Sequence, residues 1–217
     1  MKYYPISLDI TNRKCIVVGG GEVAERKIQR LLDSGADIAV ISEELTSDLK
    51  LLVEERKIKF VEASYDRSHL DGAFLVFGTT DDGTVNEKVF RDARERGILV
   101  NVADDPKRCD FILPSLLEQG DLQISVSTGG KSPALARKLR TDLEAMYGPE
   151  YAVYLKILGD LRKKIISGGK SSEENKKVFE AIINSDIFEK IRMNQWDNVK
   201  ALIRKLTGED LDMNRYQ

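Results

Sequence analysis

Over the first 113 residues, short apolar runs alternate with segments whose apolar positions recur at helical spacing. The strand-like runs fall at residues 15–19, 37–42, 58–63, 73–79 and 99–103, with 111–113 as a further candidate, and the helix-like segments at 22–34, 47–56 and 85–96. Parallel strands need crossovers, and helices must cover both faces of the sheet they form, so this alternation predicts an α/β fold with a doubly wound, Rossmann-type parallel sheet. Gly35 and Gly97 stand just past the first and third helices, where a left-handed residue ends a helix.

After Pro114 the alternation stops. Residues 121–128 read as one more strand, with Leu122, Ile124 and Val126 on one face and Gln123, Ser125 and Ser127 on the other. Such a strand must pair with something. Ser132 and Pro133 then suit the N-cap and first position of a helix. From Pro149 onward the pattern is helical. Tyr154, Leu158, Leu161 and Ile165 share one face, Val178, Ile182, Ile187 and Ile191 another, and Trp196, Val199, Ile203 and Leu206 a third. Ser171 with Glu174 makes a capping box that restarts the helix after a glycine break. The stripes read as core. The chain is thus expected in three parts: an α/β domain over 1–113, a short strand–helix segment over 114–147, and an all-helical domain over 148–217.

Composition narrows the function classes. With 217 residues the core needs no metal or disulfide staple. The formal charge of −2, from 34 basic and 36 acidic residues, supplies no global field toward nucleic acid or an anionic membrane. Cys15 and Cys109 offer neither a disulfide framework nor zinc spacing, which points to a reducing cytoplasm. No N-terminal leader is visible, and no stretch approaches the roughly 18 apolar residues of a membrane span.

The chemistry concentrates at glycines. Gly19, Gly20 and Gly21 follow the first strand and Glu22 and Val23 open the next helix, with Ala24 completing the G-x-G-x-x-G/A pattern. Free N–H groups and the helix dipole there suit a dinucleotide's pyrophosphate. Ser42 and Glu43 end the second strand where an acid often meets the ribose, and no arginine stands there for a 2′-phosphate. Thr79 and Thr80 end the fourth strand, close to the nucleotide crevice, and Asp81 or Asp82 suits a helix cap. Beyond the fifth strand come Asn101, Asp104, Asp105 and Lys107; position alone leaves open which aspartate accepts a proton and which caps the turn before Pro106. Thr128, Gly129, Gly130, Lys131 and Ser132 combine backbone donors, hydroxyls and a lysine at a helix start, with Arg137, Lys138 and Arg140 following and Lys107 and Arg108 as further cations, so a polycarboxylate substrate would suit them. His69 alone supports no metal site.

Several of these residues also form a recognisable set: Tyr4-Pro5-Ile6, the run from Val18 through Lys27, Thr80-Asp81-Asp82, Val85-Asn86, the run from Asn101 through Lys107, the run from Phe111 through Ser115, and the run from Ser125 through Ala134. In this set and order, over roughly residues 1–145, the chain resembles the precorrin-2 dehydrogenase part of siroheme synthases, which in yeast occurs as a bifunctional dehydrogenase and ferrochelatase. The resemblance implies NAD as cofactor, precorrin-2 as substrate, a homodimer that exchanges strands and helices, and Asp104 as the catalytic aspartate. Asn101, Lys107, the 128–132 turn and Arg137 are the residues expected to bind that substrate, and the family adds iron or cobalt as a chelation substrate where that activity occurs. Relatives fused to a methyltransferase domain continue for a long segment beyond this sequence, so methylation is expected of another protein. Some relatives carry serine where Thr128 stands. The contrasting reading is a nucleotide-sensing regulatory module on the same domain, which binds NAD without turnover and leaves the basic 131–140 segment without a purpose.

Overall fold

A computed structural model describes residues 2–103, 105–169 and 171–216, and of Glu62 the backbone alone. The chain divides into two compact units, Met1–Leu113 and Pro114–Gln217.

The first unit is the α/β layer structure that the alternation predicts. Strands β1 (Lys14–Val18), β2 (Asp37–Ser42), β3 (Lys59–Glu62), β4 (Leu75–Gly78) and β5 (Leu99–Val102) form one sheet in the order β3-β2-β1-β4-β5. All four pairings are parallel. Strand β1 is central and its side chains alternate between two cores. Cys15 and Val17 pack with Ile28 and Leu31 of α1 (Glu22–Asp33) and Leu49 of α2 (Ser47–Glu54). Ile16 and Val18 pack on the other face with Val89 and Ala93 of α3 (Gly83–Glu95). A strand covered on both faces explains the unbroken apolar run. Gly35 (φ 73°) and Gly97 (φ 68°) take the left-handed conformation past their helices. Because the strand order reverses between β1 and β4, their carboxyl ends diverge and open a crevice.

Three stretches depart from the sequence reading, the first at the end of the first unit and the other two in the second. Residues 111–113 are not a strand, and 121–128 is not a lone one. Strand β6 (Ser115–Gln119) pairs antiparallel with β7 (Leu122–Val126) through a turn at Gly120 (φ 58°). Gly120 is required there for a second reason, since a Cβ would meet that of Ala152 at 2.8 Å. The helices are α4 (Pro133–Met146), α5 (Glu150–Ser167), α6 (Ser172–Ile183), α7 (Ile187–Arg192) and α8 (Trp196–Thr207). Val178 and Ile182 therefore lie on a different helix from Ile187 and Ile191. The break comes at Ser185, whose hydroxyl donates to the Ile182 carbonyl (2.7 Å) and accepts from Ile187 N (3.3 Å), a local bonding pattern that competes with helix continuation. The predicted stripes still meet in one core, where Ile157, Leu161, Ile182, Ile187, Val199 and Ile203 are fully buried. Ser132 caps α4 with Pro133 at its start, and Ser171 with Glu174 forms the expected capping box on α6.

Candidate functional site

The glycine turn is shaped by close packing on two sides and openness on the third. Gly19 has φ 114°, and a Cβ there would lie 2.9 Å from the backbone of Thr79 and Thr80, so β1 can turn against the end of β4 only without a side chain. Gly20 faces the β2–α2 connection. A Cβ would run into the Glu44 carbonyl oxygen and come within 2.7 Å of Leu45. That packing is tied by the Thr46 N–H, which donates to the Gly20 carbonyl at 3.0 Å. At Gly21 nothing lies within 4 Å. Gly21 is the N-cap of α1, and among the described residues no side chain caps it. The first N–H groups of the helix, at Glu22 and Val23, therefore await an acceptor, with the positive end of the helix dipole behind them. An open glycine beside an uncapped helix start fits a nucleotide diphosphate.

The crevice above this turn has a volume of about 730 Å³. Gly19, Gly20, Gly21, Glu22, Val23, Ser42, Glu43, Thr79 and Thr80 all line it, so the structure brings together every residue that the sequence assigned to a cofactor. Their side chains are not equally free. The Thr79 hydroxyl is turned inward, donating to the Val18 carbonyl at 2.9 Å, and the Ser42 hydroxyl donates to the Glu44 carbonyl at 2.7 Å. The Glu43 carboxylate accepts from the Ser64 hydroxyl at 2.6 Å, which fixes an acid at the end of β2. Asn86 donates to the Thr80 carbonyl at 2.7 Å and holds the β4–α3 loop in place. Asp82 caps α3. The N–H groups of Thr84 and Val85 hold its carboxyl below the usual carboxylate range. Thr46 and Tyr65 also line the crevice and were not read from the sequence. Thr46 could have been, since it precedes Ser47 and Asp48 and caps α2 through Leu49 N at 3.3 Å. Tyr65 carries no such signal.

Beyond β5 the candidate catalytic residue Asp104 lies outside the described residues. Its neighbour Asp105 has structural work: it accepts from Lys107 N at 3.0 Å and pairs with Arg108 at 2.9 Å. Lys107 itself is exposed. Asn101 is 7% exposed, and its amide is engaged by protein, donating to the Phe111 carbonyl at 2.9 Å and accepting from Lys27 Nζ at 3.2 Å. Burial pushes the Cys109 thiol up from its ordinary value, and the thiol donates to the Asp105 carbonyl at 3.2 Å.

The second glycine turn belongs to the second unit. Gly129 (φ 62°) and Gly130 (φ 81°) are both left-handed, and Thr128 Oγ1 accepts from Ser132 N at 3.0 Å, closing the turn that Ser132 then caps. Lys138 and Arg140 are taken up by ion pairs with Asp142 and Glu144 along α4. Among the described residues Lys131 and Arg137 make no ion pair, and both are exposed. His69 accepts a bond from Asp66 N at 3.1 Å, and no cluster of metal-ligating side chains occurs among the described residues.

This arrangement matches known proteins over most of the chain. Residues 6–115 match the family profile described as "Putative NAD(P)-binding", and residues 119–146 match the one described as "Sirohaem biosynthesis protein central". The chain belongs to the precorrin-2 dehydrogenase family, the dehydrogenase part of siroheme synthase. It is 35% identical over 207 residues to the siroheme synthase of Photobacterium profundum, covering 95% of this chain and 44% of that protein. With siroheme synthase 1 of Aeromonas salmonicida it shares 39% identity over 186 residues, 86% of this chain and 40% of the relative. The chain thus spans less than half the length of these curated relatives. The solved structure of SirC, a precorrin-2 dehydrogenase, matches with a TM-score of 0.77 at 25% identity, over 94% of this chain and 100% of that one. The family's NAD(P)-binding part coincides with the first unit and its crevice. No helix among the described residues is long and apolar enough to cross a membrane.

Proposed function

We propose that this chain is an NAD-dependent precorrin-2 dehydrogenase, which removes two hydrogens from precorrin-2 to give sirohydrochlorin. The observation that carries the reading is the uncapped, sterically open start of α1 at Gly21, set in the crevice where the strand order reverses. NAD bound there supplies the acceptor for the hydride, and the second hydrogen leaves as a proton. In this reading Gly20, Gly21, Glu22 and Val23 bind the pyrophosphate through their N–H groups. Glu43, fixed by Ser64, faces the ribose, and with Glu44 beside it opposes the additional charge of a 2′-phosphate, which favours NAD over NADP. Asp104 accepts the proton. Lys107, the 128–132 turn and Arg137 serve the substrate, Lys107, Lys131 and Arg137 as cations for its carboxylates, while Asn101, whose amide is engaged by Phe111 and Lys27, has a structural part.

The protein acts as a homodimer in this reading. Helix α4 leaves Leu135, Leu139 and Met146 at 48%, 41% and 68% exposure, and the two-stranded β6–β7 sheet keeps unpaired outer edges that a second copy would cover. Free thiols at Cys15 and Cys109 suit a reducing cytoplasm.

The test is anaerobic incubation with enzymatically made precorrin-2 and either NAD or NADP, following the absorption of the reduced nucleotide and of the product, with and without ferrous iron or cobalt. Stoichiometric product and reduced NAD are expected. Tight NAD binding without turnover would leave a nucleotide-sensing module as the reading instead.

A further inference from the structure

Tyr65 stands where the crevice needs a flat surface. It is three residues past β3, and among the described residues lining the crevice it is the one aromatic side chain. The sheet order settles which half of a dinucleotide would reach it. Strands β2 and β3 lie to one side of β1, and β4 and β5 to the other. With the pyrophosphate at the β1–α1 turn and the proposed proton acceptor after β5, the nicotinamide must extend toward β4 and β5. The adenosine is left to extend over β2 and β3, past Glu43 and toward Tyr65.

The half-buried ring is held from several sides. Its hydroxyl donates at 3.1 Å to Oδ2 of Asp92, a carboxylate of α3 that is only 8% exposed. Its edge meets His69 in a T-shaped contact, with centroids 6.3 Å apart, and His69 is itself fixed by accepting from Asp66 N. Burial, reinforced by the Asp92 bond, keeps the phenol's pKa well above its ordinary value, so the hydroxyl remains a donor throughout the neutral range. One side of Tyr65 packs on the core layer that contains Leu70 and Val89. A side chain immobilised before binding loses little entropy when a ligand packs on it.

We propose that the Tyr65 ring, braced by Asp92, is the wall against which the adenine of the bound dinucleotide packs. The inference rests on the dinucleotide reading of the crevice and deepens it: Tyr65 touches the cofactor, and Asp92 acts through Tyr65 as a positioning residue. Base–aromatic packing of this kind is worth enough that losing it weakens binding roughly tenfold.

Calorimetric titration with ADP-ribose, which lacks the nicotinamide, tests this apart from turnover. Tyr65→Leu keeps apolar volume against the core but removes the flat ring, and should bind ADP-ribose and NAD roughly tenfold more weakly than the native chain. Tyr65→Phe keeps the ring and should stay within about threefold, though with lower stability because Asp92 loses its partner. ADP-ribose affinity unchanged in Tyr65→Leu, or weakened as much in Tyr65→Phe as in Tyr65→Leu, would overturn the inference while leaving the dinucleotide reading intact. A native chain that binds neither NAD nor ADP-ribose would overturn both. If Tyr65→Leu does not fold, the native protein suffices: magnetisation transfer between the adenine protons of ADP-ribose and the Tyr65 ring, assigned with Tyr65→Phe, is expected, and its absence at saturation would refute the contact.

Discussion

Lys27 Nζ donates to Asn101 Oδ1 at 3.2 Å while lying 4.8 Å above the centroid of the Phe77 ring, so the helix that begins at the glycine turn is tied directly to the end of β5. The other end of the Asn101 amide holds the Phe111 carbonyl, which ties Phe111 back to β5. The start of α1, where cofactor binding is proposed, and the segment beyond β5, where the chemistry is proposed, are therefore tied to one buried amide.

Asn101→Ala should accordingly behave first as a stability variant. It removes a donor from the Phe111 carbonyl and an acceptor from Lys27, and a buried group left without its partner costs roughly 1–3 kcal/mol. A urea titration should show the midpoint lowered at unchanged slope. An unchanged midpoint combined with a raised KM for the tetrapyrrole would show instead that the amide is available to substrate.

The neighbouring glycines should separate folding from binding. Gly20→Ala drives a methyl into the Glu44 carbonyl, so the β2–α2 connection must shift, and roughly 1–3 kcal/mol of stability should go with it. Gly21→Ala meets nothing within 4 Å, at a φ of −89° that any residue adopts, so its melting temperature should stay at or slightly above the native value. Its NAD affinity should nonetheless fall, and Gly21→Asp should abolish binding, since bulk and then like charge stand where the pyrophosphate comes. Thermal melts paired with NAD titrations check both halves, and full NAD affinity in Gly21→Asp would remove the assignment of the site.

In the helical unit Tyr216 donates to Asp160 Oδ2 at 2.6 Å. Burial, reinforced by this bond, pushes the Tyr216 phenol up to about 12, above the ordinary range of a tyrosine. The folded state holds that proton more tightly than the unfolded one. The contribution is therefore complete below about pH 10 and is lost as the pH rises from there toward 12. Asp160 shifts the opposite way, its carboxyl lowered chiefly by the Tyr216 bond, so its share is lost only as the pH falls through the acid range. Tyr216→Phe should reduce stability at neutral pH by about 1 kcal/mol and flatten the alkaline decline. Denaturant midpoints of the two proteins compared from about pH 8 to about pH 12 should converge; parallel curves would show that the bond contributes nothing.

How much of this could be read from the residues varies with the range of the interaction. The glycine turn, the central strands and the caps at Ser132 and Ser171 are local, and each is written in a few consecutive residues. Strand β6 was not legible because Leu116 and Leu117 are adjacent and break the two-residue period, while the apolar Phe111, Ile112 and Leu113 imitate a strand. The α6–α7 break was hidden because Ser185 interrupts the backbone without interrupting the apolar stripe. Tyr65, paired with Asp92 across 27 positions, and Asn101, paired with Lys27 across 74, depend on topology. Sequence position had made Asn101 a substrate residue, and periodicity could not weigh Asp104 against Asp105.

That last pair gives the most direct test of the chemistry. Asp105 accepts from Lys107 N and pairs with Arg108, which in turn pairs with Glu87, so its carboxylate is bound into the turn before any substrate arrives. This supports the proposal that Asp104, the residue the family resemblance assigns, is the proton acceptor. Asp104→Ala should reduce turnover roughly 100-fold or more, in the range for loss of a general base, with NAD affinity unchanged. Asp105→Ala should lower stability by about 1 kcal/mol through the lost cap and reduce turnover far less. Steady-state kinetics with precorrin-2, alongside NAD titration and thermal melts of each variant, separate the two roles. If Asp104→Ala retained near-native oxidation, the base assignment would fall, and positioning of the substrate by Lys131, Arg137 and the 128–132 turn would have to account for the rate.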